Sequence, residues 1–210
     1  MGTGTGGGGG GGTYEEIVLL GVVEEEEVEG ILEHAVGICG GAARTYKTRT
    51  CVYGASSESV VEVVEEEGAG VVRVRHVGGY HVAAEESRVE RAHQPALTRV
   101  MARSVSESEV EGEIATVLAE SGKVLQGVVW KIGHQVDMGT ALIRIVQTWG
   151  EDDRGERVPV DGTRGSHLVE LIARVVNHDM LGVAERVDGL ANMFVPWVDL
   201  VPVDVRSIRP

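Results

Sequence analysis

The sequence predicts an α+β fold: a wide, largely antiparallel sheet with two to three helices packed against it. Three observations carry this. Residues 123–149, KVLQGVVWKIGHQVDMGTALIRIVQTW, read as two long strands joined by a tight turn at Val136-Asp137-Met138-Gly139, because Val, Ile and Trp crowd both halves while Asp and Gly lie between them. Residues 59–66 and 71–77 flank the four-residue loop Glu67-Gly68-Ala69-Gly70 and form a second hairpin. Around these ribbons lie stretches whose apolar residues recur at helical rather than alternating spacing.

Taken in order, residues 15–24 (EEIVLLGVVE) predict a first strand whose unbroken apolar middle fits burial on both faces. A helix over 25–39 follows. Val28, Ile31, Leu32, Ala35, Val36 and Cys39 share its face, and the glutamates at 24–27 suit the positive end of its dipole. Gly40 and Gly41 stop it. Residues 45–53 predict a strand. In the hairpin that comes next, a loop of the four named residues sets Glu62 opposite Arg75 and Val63 opposite Val74. Gly78 and Gly79 are expected to end that strand, and the polar run 84–94 to form a loop or short helix.

Residues 95–105 predict another strand. Ser106 and Ser108 are each followed three positions later by glutamate, the capping-box signature. With Val110, Ile114, Val117 and Leu118 behind them, they predict a helix that Gly122 ends. In the long ribbon Ala141, Ile143, Ile145, Gln147 and Trp149 should share one face, and Leu142, Arg144, Val146 and Thr148 the other. The charged, glycine-bearing stretch 151–165 reads as a mobile loop, 166–177 as a strand, and 180–194 as a helix closed by Pro196. The tail can add an edge strand, where Pro202 is tolerable. Residues 1–13 read as a disordered glycine leader and 14–210 as one domain.

Composition narrows the function. A net charge of −14 repels phosphate backbones and anionic membrane surfaces, so neither direct nucleic-acid binding nor a membrane role is expected. The longest apolar run, Ile17 to Val23, is far below the ~20 residues a bilayer requires. The glycine leader has no signal-like apolar stretch, which points to the reducing side of the cell. Cys39 and Cys51 read as two buried thiols. The formal GxGxxG of the leader has no strand before it, and the near-Walker segment 41–48 follows a helix instead of opening one, so neither is read as a phosphate loop.

Two constellations suggest chemistry. In SESEVEGE, Glu107, Glu109, Glu111 and Glu113 alternate. On a strand they would all point into a barrel, as in tunnel-shaped triphosphatases that hold a divalent metal; on the helix expected here they scatter. The basic strands needed to grip a triphosphate look sparse, with Arg73 and Arg75 the only tight alternating pair. The histidines, for their part, form no HExxH and no ligand spacing with cysteine. No catalytic, cofactor-binding or metal residue is therefore assigned, and neither an enzymatic activity nor a small-molecule substrate is expected. Trp149 and Trp197 are the candidate partner-binding residues, whereas Trp130 reads as core packing.

The succession of strand, helix, several strands, helix, long ribbon, strand and helix resembles the subunit 18 family of the Mediator complex. YEEIVLLGVVEEEEVEGILEHAVGICG, VVRVRHVGG, SHLVELIARVV and FVPWVDLVPVD carry the resemblance, which runs from about Tyr14 onward. It implies an antiparallel sheet curled into an open β-barrel with helices against it. It also implies a structural role in the Mediator head module in the nucleus, pairing with subunit 20, tethering by subunit 8, and support of RNA polymerase II transcription as part of a coactivator. The glycine leader and the acidic insertion Glu151 to Asp153 depart from the family pattern. The alternative is a metal-dependent triphosphate hydrolase built on a tunnel barrel.

Overall fold

A computed structural model describes residues 12–56, 59–84, 100–160, 165–175 and 179–202. Its strands are β1 (Gly12–Glu24), β2 (Arg44–Ser56), β3 (Ser59–Glu66), β4 (Val72–Ala84), β5 (Val100–Val110), β6 (Val124–Asp137), β7 (Leu142–Glu151), β8 (Arg157–Pro159), β9 (Ser166–Val175) and β10 (Val201–Pro202). Its helices are α1 (Val28–Cys39), α2 (Ile114–Glu120) and α3 (Met180–Met193), with a 3-10 turn at Glu25–Glu27 leading into α1. The path β1-β5-β4-β3-β2-β6-β7 is antiparallel throughout, and β9 pairs with both β7 and β1. The expected α+β barrel with helices against it is thus present, and β9 carries its curl round to a closed ring of eight strands.

Alternation along the strands builds two environments. Ile17, Leu19 and Val23 of β1, Ile143 and Ile145 of β7, and Val169 and Leu171 of β9 point outward under α1 and α3. There Ile31, Ala35, Val187 and the fully buried Phe194 complete the main core. Glu16, Val18, Arg144, Glu170 and Ile172, at the alternate positions, line the barrel interior. This two-sided burial explains the continuous apolar middle of β1. On the opposite wall α2 lays Leu118 and Ile114 over Cys51, Val61 and Val63.

Close curling is possible only where side chains are missing. Gly133 shares the barrel-facing side of β6 with Lys131, and a Cβ there would sit 2.1 Å from the carbonyl oxygen of Ile145. At Gly21 a Cβ would lie 2.9 Å from the carbonyl oxygen of Asp199, where the C-terminal segment crosses β1.

Several expectations hold residue by residue. Glu62 pairs with Arg75 and Val63 with Val74. Ser166–Val175 is a strand, and Asp179 caps α3 by accepting from Gly182 N at 3.1 Å. Others need correction. The helix expected from Ser106 is strand β5 as far as Val110, and only Ile114–Glu120 is helical. The reason is tertiary: β1 and β4 offer ladders on both sides of this segment, and Arg75 stands opposite Glu107, which outweighs a local cap.

Gly78 and Gly79 do not end β4; the register shifts between Val77 and Tyr80 and the strand continues. Val136 belongs to β6, so the turn comes later. In it Met138 N donates to Ala141 O, Gly139 has φ 78, and Asp137 Oδ1 accepts from Gly139 N at 2.8 Å. The stretch read as a loop after Glu151 contains β8, which pairs with the end of β7. β1 starts at Gly12, inside the expected leader, while residues 1–11 and 85–99 lie outside the described residues. Cys51 is a buried free thiol as expected, but Cys39 is only half-buried.

Candidate functional site

The barrel encloses a tunnel of about 550 Å³. Among the described residues six basic side chains line it: Arg73, Arg75, Arg103, Lys131, Arg144 and Arg174. Five strands supply them and only β4 gives two, so no basic cluster is visible along the chain. Four glutamates face them, Glu16, Glu62, Glu107 and Glu170.

Glu16 is the hub of this network. Its side chain is 3% exposed, and it accepts from Arg75 Nη2 at 3.0 Å and from Arg103 Nη2 at 2.6 Å. Burial alone would raise its pKa, yet Arg103 and Arg75 beside it outweigh burial and hold the carboxyl below the ordinary carboxylate range. Arg75 also meets Glu62 at 2.9 Å and Glu107 at 3.4 Å. Burial pulls the Arg75 pKa down, but Glu16 and Glu62 more than offset this and the guanidinium stays charged.

Glu107 in turn accepts from the Tyr14 hydroxyl at 2.9 Å and lies 3.5 Å from Arg174. Further along the tunnel Lys131 Nζ donates to Glu170 Oε1 at 2.6 Å. Burial would raise the Glu170 pKa, and the Lys131 ammonium reverses the shift, so the net direction is downward. Arg73 pairs with Glu66, and Arg144 lies over the Tyr46 ring, 4.4 Å from its centroid.

The tunnel can therefore receive an anion, but its four glutamates are engaged by its own cations. Of the four alternating glutamates only Glu107 lines it; Glu109 is exposed near the end of β5, and Glu111 and Glu113 lie beyond the strand. Among the described residues no three His, Cys, Asp or Glu side chains converge on a point where a metal ion could be held. The sparse grip expected from Arg73 and Arg75 alone is corrected to six cations. The period-two pattern of each strand could have flagged them, had the strands been known to face one another.

The two candidate partner residues have different surroundings. Trp149 stands opposite Trp130 on β6, is half-buried, and has a buried indole N–H with no hydrogen-bond partner. Trp197 is 37% exposed, with its ring 4.3 Å from that of His34 and with exposed Met193 and Val195 close by in the chain. Trp130 donates to Glu151 Oε2 at 3.0 Å and carries Arg157 and Arg49 over its ring, at 4.9 and 5.8 Å.

No family model matches the chain, and no curated protein does either. Solved structures do. The Mediator head module of Schizosaccharomyces pombe is similar over 90% of this chain and 98% of that one, with a TM-score of 0.71 and 14% identity. A conserved hypothetical protein of Pyrococcus furiosus follows at TM-score 0.57, 10% identity, and 92% and 99% coverage. A Hippeastrum protein described as having a dominant triphosphatase activity matches at TM-score 0.52, 10% identity, and 93% and 94% coverage. At such identities the likeness is one of fold. It nevertheless overturns the expectation that this chain is no enzyme, because the same barrel belongs to a protein with catalytic activity.

Proposed function

We infer that the chain is a barrel subunit of a Mediator-type head module, pairing with subunit 20 and tethered by subunit 8, and acting in the nucleus in support of RNA polymerase II transcription. The observation that carries this reading is the S. pombe likeness, which spans nearly all of both chains at a TM-score of 0.71 against 0.52 for the Hippeastrum protein. The outer surface supports it. Trp197, Met193, Val195 and Leu181 are exposed apolar side chains on or just beyond α3, and an amphipathic partner could cover them. Residues 14–210 act as one domain on this reading, behind a glycine leader, with Trp197 as an anchor and Trp149 as a second. Co-expression with subunits 8 and 20 of the same organism tests it. A stable ternary complex is expected, and a chain that purifies alone from that mixture refutes the reading.

A second reading has its own observation. The tunnel's six cations, read with the Hippeastrum likeness, favour hydrolysis of a triphosphate with a divalent metal. Release of phosphate from tripolyphosphate with Mg²⁺ or Mn²⁺, lost in Glu107→Gln, is its expected result. Absence of release in both metals counts against it.

A further inference from the structure

Strand β6 outruns the strand beside it. It has 14 residues against 10 in β7, and the ladder between them begins only where Trp130 stands opposite Trp149. On its other edge β6 is paired to β2 from Gln135 back to Val124. Among the described residues, Val124 to Val129 therefore carry one edge with no ladder partner. Ring closure removes strand edges, so one that survives with apolar side chains on it calls for a reason.

Two overhangs of the barrel differ in chemistry. At the start of β2, Arg44 to Lys47 lie outside the ladder with β3, which begins at Thr48 opposite Glu66; Arg44 and Lys47 put charge there, and Glu67 N donates to Lys47 O. Charge guards that edge in the usual way. The overhang of β6 leaves Val124 67% and Leu125 48% exposed, and Lys123 is the single charge between Ser121 and Val129. Both ends of it are held. Lys123 N donates to Leu118 O at 2.9 Å, closing the turn from α2, and Trp130 is bonded to Glu151. An edge fixed in this way can add a strand without first being ordered.

Two features choose the occupant. The ladder with β2 shifts register between Val52 and Tyr53, a bulge at Gln126, whose amide occupies the place a side chain at Gly54 would take. A bulge bends the edge, so two rigid barrels meet poorly along it, and each copy would bring a charge of −14. A flexible extended peptide follows the bend. Its charge is set by α2, where Glu113 at the cap, Val117 and Glu120 recur at positions i, i+4 and i+7 and are all exposed. Carboxylates beside bare valine suit basic residues alternating with apolar ones.

We propose that the bare edge of β6 at Val124 to Val129 takes up an extended segment of a partner protein, with apolar and basic residues alternating, as an added strand. The site lies on the α2 side of the barrel, away from Trp197, and holds whichever of the two functional readings is right.

The test uses the full chain and a fluorescent peptide of alternating valine and lysine, followed by anisotropy. Saturation below about 1 mM is expected. The same peptide with glutamate in place of lysine should bind at least about tenfold more weakly, a difference of about 1.4 kcal/mol. Alternate residues of an added strand point their N–H groups at the edge and away from it. Of two further peptides, one methylated at every valine nitrogen and one at every lysine nitrogen, one should therefore lose binding and the other keep it. Leu125→Lys should weaken the lysine peptide at least about tenfold and the milder Leu125→Ala several-fold, while Val22→Thr, on the seam of β1 and β9, should leave it unchanged. No saturation overturns the proposal, as do equal behaviour of the two methylated peptides and undiminished binding by Leu125→Lys. A dimer of the free chain in sedimentation that Leu125→Lys dissolves also overturns it, and gives the edge to a second copy.

Discussion

The inside and the outside of the barrel wall are made by the same strands and obey opposite rules. On β1, Ile17 and Leu19 enter an apolar core under α1 and α3, while the alternate residues Glu16 and Val18 face the tunnel. On β9, Leu171 and Ala173 lie in the outer core, while Glu170 and Arg174 line the tunnel. The outer face gains stability from area removed from water, about 25 cal/mol per Å². The inner face buries charges whose mutual attraction roughly repays their lost hydration, so its net contribution to stability is small. The difference teaches that the outer layer accounts for folding, whereas the tunnel charges must be explained by specificity or by ligand.

The largest effects should come from breaking either side at its hub. Phe194→Ala empties the centre of the outer core and should cost about 3 to 5 kcal/mol in urea unfolding. Glu16→Gln leaves Arg75 and Arg103 without their shared carboxylate and should cost a similar amount, about 3 to 5 kcal/mol. The two variants then part on acidification. The pKa values of Glu16 and Glu170 are lowered by folding, so the stability they contribute is full above the ordinary carboxylate pKa and is lost as pH falls through the lowered folded values. Unfolding free energy should therefore drop on the acid side in Phe194→Ala as in the parent, and drop less in Glu16→Gln.

A sharper contrast comes from replacing a tunnel pair outright. Lys131→Met alone should destabilise by about 3 kcal/mol or more, because Glu170 is left buried without its ammonium. Lys131→Met combined with Glu170→Met should return to within about 1 kcal/mol of the parent. An equally damaged double variant would mean that the inner charges hold the fold, and the contrast between the faces would fail. The smallest effect belongs to the exposed end of β6: Val124→Thr should change stability by less than about 0.5 kcal/mol.

What could be read along the chain was whatever repeats with a local period. The two-sided β1, the Glu62–Arg75 register and α3 with its start near Asp179 all follow from spacing and neighbours. The segment at Ser106 misled because a capping box is a local signal, while the partner that decides its state, Arg75, is supplied by β4. The tunnel was hidden for a related reason. Lys131, Arg144 and Arg174 are isolated charges on separate strands, and only ring closure brings them to one cavity. Closure depends on β9 pairing with β1, a match between distant segments that periodicity cannot announce.

That closing strand sets a timetable. β1 ends at Glu24 and its partner β9 begins at Ser166, so a ribosome must make everything between before the seam can be zipped. At roughly 5 to 20 residues per second this leaves the apolar edge of β1 waiting for on the order of ten seconds. For that interval Val18 to Val23 is a valine- and leucine-rich stretch whose ladder partners, β9 along one edge and β10 along the other, are both still unmade, a template for wrong pairing as much as for right. A nascent chain of this design depends on whatever shields that border, and shortening the wait by slowing nothing else, as in a circular permutant that starts at β9, should raise its soluble yield.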